Sequence, residues 1–276
     1  MERKRVYITV KTYPTLSEKY DELVCTAGIC EDGSWIRLYP LPFRKLENEQ
    51  KYKKWQWIEV DVERNTSDFR PESHKVLNID NLTIFPTDSK KTNWDERKRI
   101  IFHTEKAFTN KAEILALTKT NPPSRTLLTF KPSQIVDFYV KPTERDWPKD
   151  KLELIRDKAR QLSLFQTQEE IIEEFIVVDK LPYEFRYIFT DDEGTKSDLL
   201  IEDWEIGALY LNCLKTANGD EKTAIEKVKQ KYWDEFLKKD IFFFLGTRLR
   251  DQIRSPNPFS IVGVFYPPVD RQGKLF

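Results

Sequence analysis

Alternation of apolar and polar positions dominates the first third of the chain. Arg5–Thr12 (RVYITVKT) alternates and is rich in β-branched residues, which predicts a first strand ended by Tyr13-Pro14-Thr15. Two short apolar runs follow, Leu23–Cys30 and Ser34–Pro40, separated by Glu31-Asp32-Gly33. That tripeptide is turn chemistry, and Gly33 can supply the positive φ that a tight hairpin needs. On the second of these strands the period of two puts Trp35, Arg37 and Tyr39 on one face and Ile36 and Leu38 on the other. Pro40 and Pro42 stop it, because proline removes a ladder donor. Trp55–Arg64 (WQWIEVDVER) sets Ile58, Val60 and Val62 against Trp57, Glu59, Asp61 and Glu63, and Val76–Phe85 adds a further strand. About five strands opening with a hairpin predict a β-rich barrel of the OB or PUA-like kind, over residues 1–90.

The period then changes. Thr92–Thr118 carries apolar residues at roughly helical spacing, with Thr92 or Asn93 as a cap, Asp95 and Glu96 in the first turn and a break near Thr109-Asn110. Thr126–Phe130 and Gln134–Lys141 read as strands, Lys149–Leu164 as a helix and Tyr183–Phe189 as a strand. Helices follow from Ile201 to Asn218-Gly219 and over Thr223–Lys239, and Ile241–Leu245 and Phe259–Tyr266 are apolar runs of strand length. The prediction is an α+β protein: the barrel followed by a mixed helix–strand region over residues 91–276, with 145 as the alternative boundary.

Composition changes this picture little. Lys plus Arg and Asp plus Glu stand at 46 each, so binding by bulk charge is not indicated, although a local basic groove is compatible with zero net charge. Eight glycines leave no Gly-rich phosphate loop. Cys25, Cys30 and Cys213 are odd in number and form no CxxC, which points to a reducing, cytoplasmic setting. There is neither a signal-like apolar leader nor a run of about 18 apolar residues, so no membrane association is expected.

The candidate chemistry is a set of aromatic residues interleaved with basic ones: Trp35, Arg37, Tyr39 and Arg44, then Lys53, Lys54, Trp55 and Trp57. OB-type modules stack bases on exposed rings while Lys and Arg track phosphates, so this face is the expected nucleic-acid contact, with single strands or RNA favoured. The competing reading is that the rings bury themselves under the second half of the protein. Glu59, Asp61 and Glu63 on one strand face suit either solvent or a divalent ion. Arg70 and Glu72 read as a paired turn. Asp203 and Glu205 open a helix, where acidic residues complement the dipole and Asp203 is a good cap; they are also the weak catalytic candidates of a metal-dependent nuclease, which lacks a further ligand. His74 and His103 are the only histidines, and His103 reads as part of an amphipathic helix. No Ser-His-Asp set, P-loop, dinucleotide fingerprint or HExxH occurs.

Cys25-Thr26-Ala27-Gly28 followed by Asp32-Gly33-Ser34-Trp35-Ile36-Arg37 resembles the opening signature of the dual OB-containing domain, a module of prokaryotic conflict and defence loci. YPTLSEKYDELVCTAG, DFRPES, EDWEIGALY, FFFLGT and NPFSIVGVFYPP are similar to an uncharacterised prokaryotic family. Relatives of that kind often carry cysteines and a Gly-His ahead of the Asp-Trp-Glu. Tyr187–Leu200 has neither Cys nor His here, so the resemblance implies no metal. It implies nucleic-acid binding in a defence or mobile-element setting and transfers no catalytic residue. The expectation is a non-catalytic nucleic-acid-binding protein without a cofactor; the alternatives are a protein-interaction or scaffold subunit and a metal-dependent nuclease.

Overall fold

The computed structural model describes residues 1–17, 21–39, 41, 51–87, 93–162 and 178–269. The first seven strands are β1 (Glu2–Lys11), β2 (Thr15–Ser17), β3 (Asp21–Leu23), β4 (Thr26–Cys30), β5 (Trp35–Leu38), β6 (Trp57–Arg64) and β7 (Ser73–Ile84). Five of them close a barrel in the order β1-β4-β5-β7-β6, while β2 and β3 form a small ribbon between β1 and β4. Every barrel pairing is antiparallel except that of β5 with β7. Gly33, at φ 82°, makes the β4–β5 turn.

Alternation sorts the barrel residues as expected. Val6, Ile8, Cys30, Ile36, Leu38, Ile58, Val60 and Val62 fill the interior. A bulge between Ile8 and Val10 breaks the alternation of β1, and Val10 joins Ala27 in a cluster outside the barrel.

The remaining elements are α1 (Trp94–Ile101), α2 (Lys111–Thr118), β8 (Leu127–Phe130), β9 (Gln134–Pro142), α3 (Lys149–Leu162), β10 (Tyr183–Thr190), β11 (Lys196–Leu200), α4 (Trp204–Thr216), α5 (Glu221–Lys229), β12 (Phe242–Thr247), α6 (Asp251–Arg254) and β13 (Phe259–Phe265). The whole is a mixed α+β structure. Asn93 and Asn110 cap α1 and α2 through their side-chain oxygens, so the helical segment after the barrel is two short helices. His103 falls beyond the end of α1, which corrects its assignment to a helix. Past α5 the chain continues as a π turn over Gln230–Glu235 and a 3-10 turn over Phe236–Lys238. Two three-stranded sheets, β11-β10-β9 and β13-β12-β8, enclose a core with α4 and α5. That core is aromatic: Phe130, Phe138, Phe185, Tyr187, Phe189, Tyr210, Tyr232, Phe236 and Phe243 are all buried.

The barrel and the second body share a seam. Phe244, Phe265, Val262 and Leu127 cover Val10 and Ala27, and Trp35, Trp55 and Trp94 pack at the margin. Polar groups cross the seam in pairs. The Glu72 carboxylate accepts from the backbone N–H groups of Thr126 (2.7 Å) and Leu127 (3.2 Å) and from the Thr126 hydroxyl (2.6 Å). Arg37, 1 % exposed, donates to the hydroxyls of Ser73 (3.2 Å) and Thr126 (3.1 Å). Arg70 pairs with Asp68 and donates to the Thr247 carbonyl, so Arg70 and Glu72 are not partners of each other, as their spacing suggested: each reaches across the seam separately.

Removing Glu72 strands two buried N–H donors and leaves Arg37 without its nearest carboxylate, 3.8 Å away. Glu72→Ala is expected to cost about 2–4 kcal/mol in urea unfolding. Glu72→Gln, which keeps one acceptor oxygen, should cost less than half as much.

Candidate nucleic-acid interface

The sequence-predicted residues divide between interior and surface. Trp35 is half-buried and meets Phe244 edge-on with ring centroids 5.5 Å apart. Trp55 packs on Phe265 (5.6 Å) and Phe244 (6.2 Å) beneath the Arg97 guanidinium (4.4 Å). Trp57 lies against Tyr7 (5.2 Å) with Arg5 over its ring (5.2 Å). These three rings are packing elements rather than an open stacking platform, and Arg37 is committed to the seam. The physical reason is that Phe244 and Phe265 of the second body pack on the apolar outer face of β4 and β5 and the rings beside it. Lys53 is exposed, and Arg44 lies outside the described residues.

Lys54 is also withdrawn from the surface. Its ammonium lies 2.8 Å from Asp203 Oδ2 and 3.0 Å from Glu205 Oε2, with the lysine side chain 6 % exposed and Asp203 fully buried. Burial works to lower the Lys54 ammonium, but the Asp203 and Glu205 charges outweigh it and hold the group charged above the ordinary lysine value. Burial pushes the Asp203 carboxyl up to about 6, against the pull of Lys54. Asp203 caps α4 by accepting from the Glu205 N–H (3.2 Å) and also accepts from the Val264 N–H (3.3 Å). The two weak catalytic candidates therefore serve as cap and ion pair. The Glu59–Asp61 face is bridged by Arg3, at 3.2 Å to each carboxylate. Among the described residues no group of three or more His, Cys, Asp or Glu is placed to hold a metal ion, and no helix is long and apolar enough to cross a membrane.

A different surface brings basic and aromatic residues together. A cavity of about 670 Å³ opens between the barrel and the second body. Arg37 and Tyr39 reach it from the end of β5, Arg70 from the β6–β7 loop, and Thr12, Tyr13 and Cys25 from either side of the β2–β3 ribbon. The second body contributes Trp147 and Lys151 at the start of α3, and Thr247–Arg250 at the end of β12 and just past it. Arg70 is fastened to Asp68 and Arg248 to Glu202 (2.7 Å). For both, burial works to lower the guanidinium, and the paired carboxylate raises it above the ordinary value. Burial, and then the neighbouring Arg70 charge, draw Arg37 below it. The carboxylates tie the arginines in place, while Lys151 and Arg250 stand at the more open rim.

Among the described residues of the sequence-predicted set, only Arg37 and Tyr39 border this cavity. Arg70, Trp147, Lys151, Arg248 and Arg250 were missed as contacts, because they come from loops and a helix start far apart in the chain and share no local pattern. A tryptophan isolated in the polar connection before α3 was the one available signal. The segment that presents Trp147 is anchored: its indole N–H donates to the Val178 carbonyl (2.8 Å), and Arg145 grips Glu221 at 2.6 and 2.9 Å.

The molecule is thus a two-part protein, a closed β-barrel with a mixed α+β body that seals one barrel face and leaves a cleft beside it. The chain belongs to the family described as Domain of unknown function (DUF8757), which matches residues 107–276, and residues 2–103 match Domain of unknown function (DUF8758). No curated protein matches the chain. One solved structure, described as "Structure of murine DNA binding protein bound with ds DNA", is similar over 97 % of this chain and 95 % of that chain, at 9 % identity and a TM-score of 0.31; a likeness at that level carries no functional argument.

Two measurements test these assignments. Asp203→Ala removes a cap and leaves the buried Lys54 ammonium with the more exposed Glu205 as its remaining carboxylate, with an expected loss of about 2–4 kcal/mol in urea unfolding, and Lys54→Met combined with Asp203→Asn should recover part of it. Hydrogen bonds from Arg145 and then Tyr183 hold the Glu221 carboxyl down from 4.5 to about 2. A depressed carboxyl stabilises the fold above its unfolded value and loses that contribution as pH falls through its folded one. Wild-type stability should therefore decline between about pH 4.5 and 2 by an increment that Glu221→Gln lacks in acid titrations of the folded fraction.

Proposed function

We propose that this is a non-catalytic nucleic-acid-binding protein whose contact surface is the cleft between the barrel and the second body. The observation that carries the reading is the convergence of Arg37, Arg70, Lys151, Arg248 and Arg250 with Tyr39 and Trp147 on one cavity. Guanidinium and ammonium groups meet phosphates, and aromatic rings stack bases, in proteins that hold single strands.

The barrel is read as OB-type. Its order and its parallel β5–β7 closure support this, with β4 and β5 as the second and third barrel strands. OB barrels take oligonucleotides on the face of those strands and on the loops after the first and fourth. Here the face is covered, and the corresponding loops, carrying Tyr13 and Arg70, border the cleft. Binding is thereby moved from the face to its edge. Single-stranded nucleic acid or RNA is the favoured partner, and a prokaryotic defence or mobile-element system, as the resemblance to the dual OB-containing domain implies, is the proposed setting. Asp203 and Glu205 favour no nuclease, since Lys54 and the α4 backbone occupy them.

Fluorescence anisotropy with single- and double-stranded DNA and RNA, across a salt series with and without magnesium, tests the proposal. Binding should weaken with salt and leave the probe intact. Replacing Lys151 and Arg250 together by Glu should lower affinity about tenfold and reduce the log–log salt slope by about two. Undiminished binding by that variant eliminates the cleft as the contact, and magnesium-dependent loss of the probe eliminates the non-catalytic reading.

A further inference from the structure

The cleft is graded in depth in a way that phosphate tracking alone does not require. We infer that it is a pocket for one unpaired nucleotide unit, taken from a strand end or turned out of a strand; this rests on the nucleic-acid reading above. Its volume, about 670 Å³, falls in the range of about 300–1,000 Å³ typical of pockets that enclose one compact ligand.

Arg37 (1 % exposed), Arg70 (5 %) and Thr247 (5 %) are buried polar residues of the wall, set beside apolar Val10, Leu127 and Val262. These polar groups meet at one point of the seam. Arg37 donates to the Thr126 hydroxyl, Thr247 N–H donates to the Thr126 carbonyl (3.1 Å), and Arg70 donates to the Thr247 carbonyl. The Thr247 hydroxyl is buried there with no hydrogen-bond partner. An unpartnered buried hydroxyl is unfavourable in the empty protein; it is covered in the free structure, and a small shift of the wall on ligand entry would let a base or sugar edge supply the missing partner. A wall that joins flat apolar surface to fixed donors and one hydroxyl suits a nucleobase better than a bare anion.

The charge balance points the same way. The five cations of the wall are met by four carboxylates behind or within it: Asp68, Glu72, Glu202 and Asp251. Such a site suits a ligand with one phosphate charge per unit rather than a dense polyanion. At the rim, Trp147 offers a ring for stacking, and Lys151 and Arg250 offer charge to the neighbouring phosphates. Extruded and terminal nucleotides present the same chemistry to such a pocket, and they differ in whether the adjoining strand is paired.

The test uses the full chain, titrated with each ribonucleoside 5′-monophosphate by tryptophan fluorescence. Short single strands, a fully paired duplex and a duplex with one unpaired nucleotide follow by anisotropy. A monophosphate should bind and compete with the single strand. Thr247→Val should weaken both by the same factor, roughly three- to tenfold, with the salt slope unchanged. Its thermal midpoint should not fall, because the hydroxyl has no partner in the free protein. Preference for the duplex with an unpaired nucleotide over the single strand supports an extruded unit, and the reverse supports a strand end. Strand binding that no monophosphate displaces, or that Thr247→Val leaves unaltered, overturns the pocket while the nucleic-acid reading stands. Monophosphate binding without binding of any oligonucleotide supports the pocket and overturns that reading.

Discussion

Covering the outer face of β4 and β5 takes charged groups out of water, and the way those charges are satisfied governs the rest of the molecule. Arg37 projects from the middle of that face and is buried with it. A buried guanidinium is tolerable only if its donors are met. Ser73 on one side and Thr126 on the other meet them, and Glu72, held by the start of β8, supplies the counter-charge. The same demand recurs where Lys54 meets Asp203, a residue that at once caps α4 and accepts from β13. The relative placement of barrel and second body is thus specified by polar contacts of defined geometry, while the aromatic packing of Phe244 and Phe265 supplies non-directional attraction.

The seam also creates the cleft. Where the face of the barrel ends, the loops around the β2–β3 ribbon and between β6 and β7 project past it, and the second body answers with the start of α3 and the turn after β12. Ion pairs fix the arginines of these segments, which limits their rearrangement when a ligand enters and lowers the cost of ordering them. Arg145 and Glu221 hold the segment that carries Trp147 in the same manner, so the rim is positioned by the α+β body rather than by the barrel.

Much of the architecture was legible in the chain. A period of two separated the inward Ile58, Val60 and Val62 from their neighbours, and Glu31-Asp32-Gly33 marked the hairpin, because strand geometry and turn chemistry are local properties. Asp203 was readable as a helix cap for the same reason. Trp35 and Arg37 share a strand face by the period of two, yet whether that face meets water or protein is not a local property. It depends on Phe244 and Phe265, about two hundred residues further along the chain.

The cleft was still less accessible. Arg70, Trp147 and Arg248 come from three separate loops, and no spacing relates them, since loop residues converge through the packing of the elements that carry them. Strand, helix and turn identities, with the inner and outer sides of each strand, follow from short-range pattern. Which outer side is covered, which charges become pairs and where a cavity remains follow from long-range contacts, because burial and charge neutralisation are settled between segments that meet only in the folded chain.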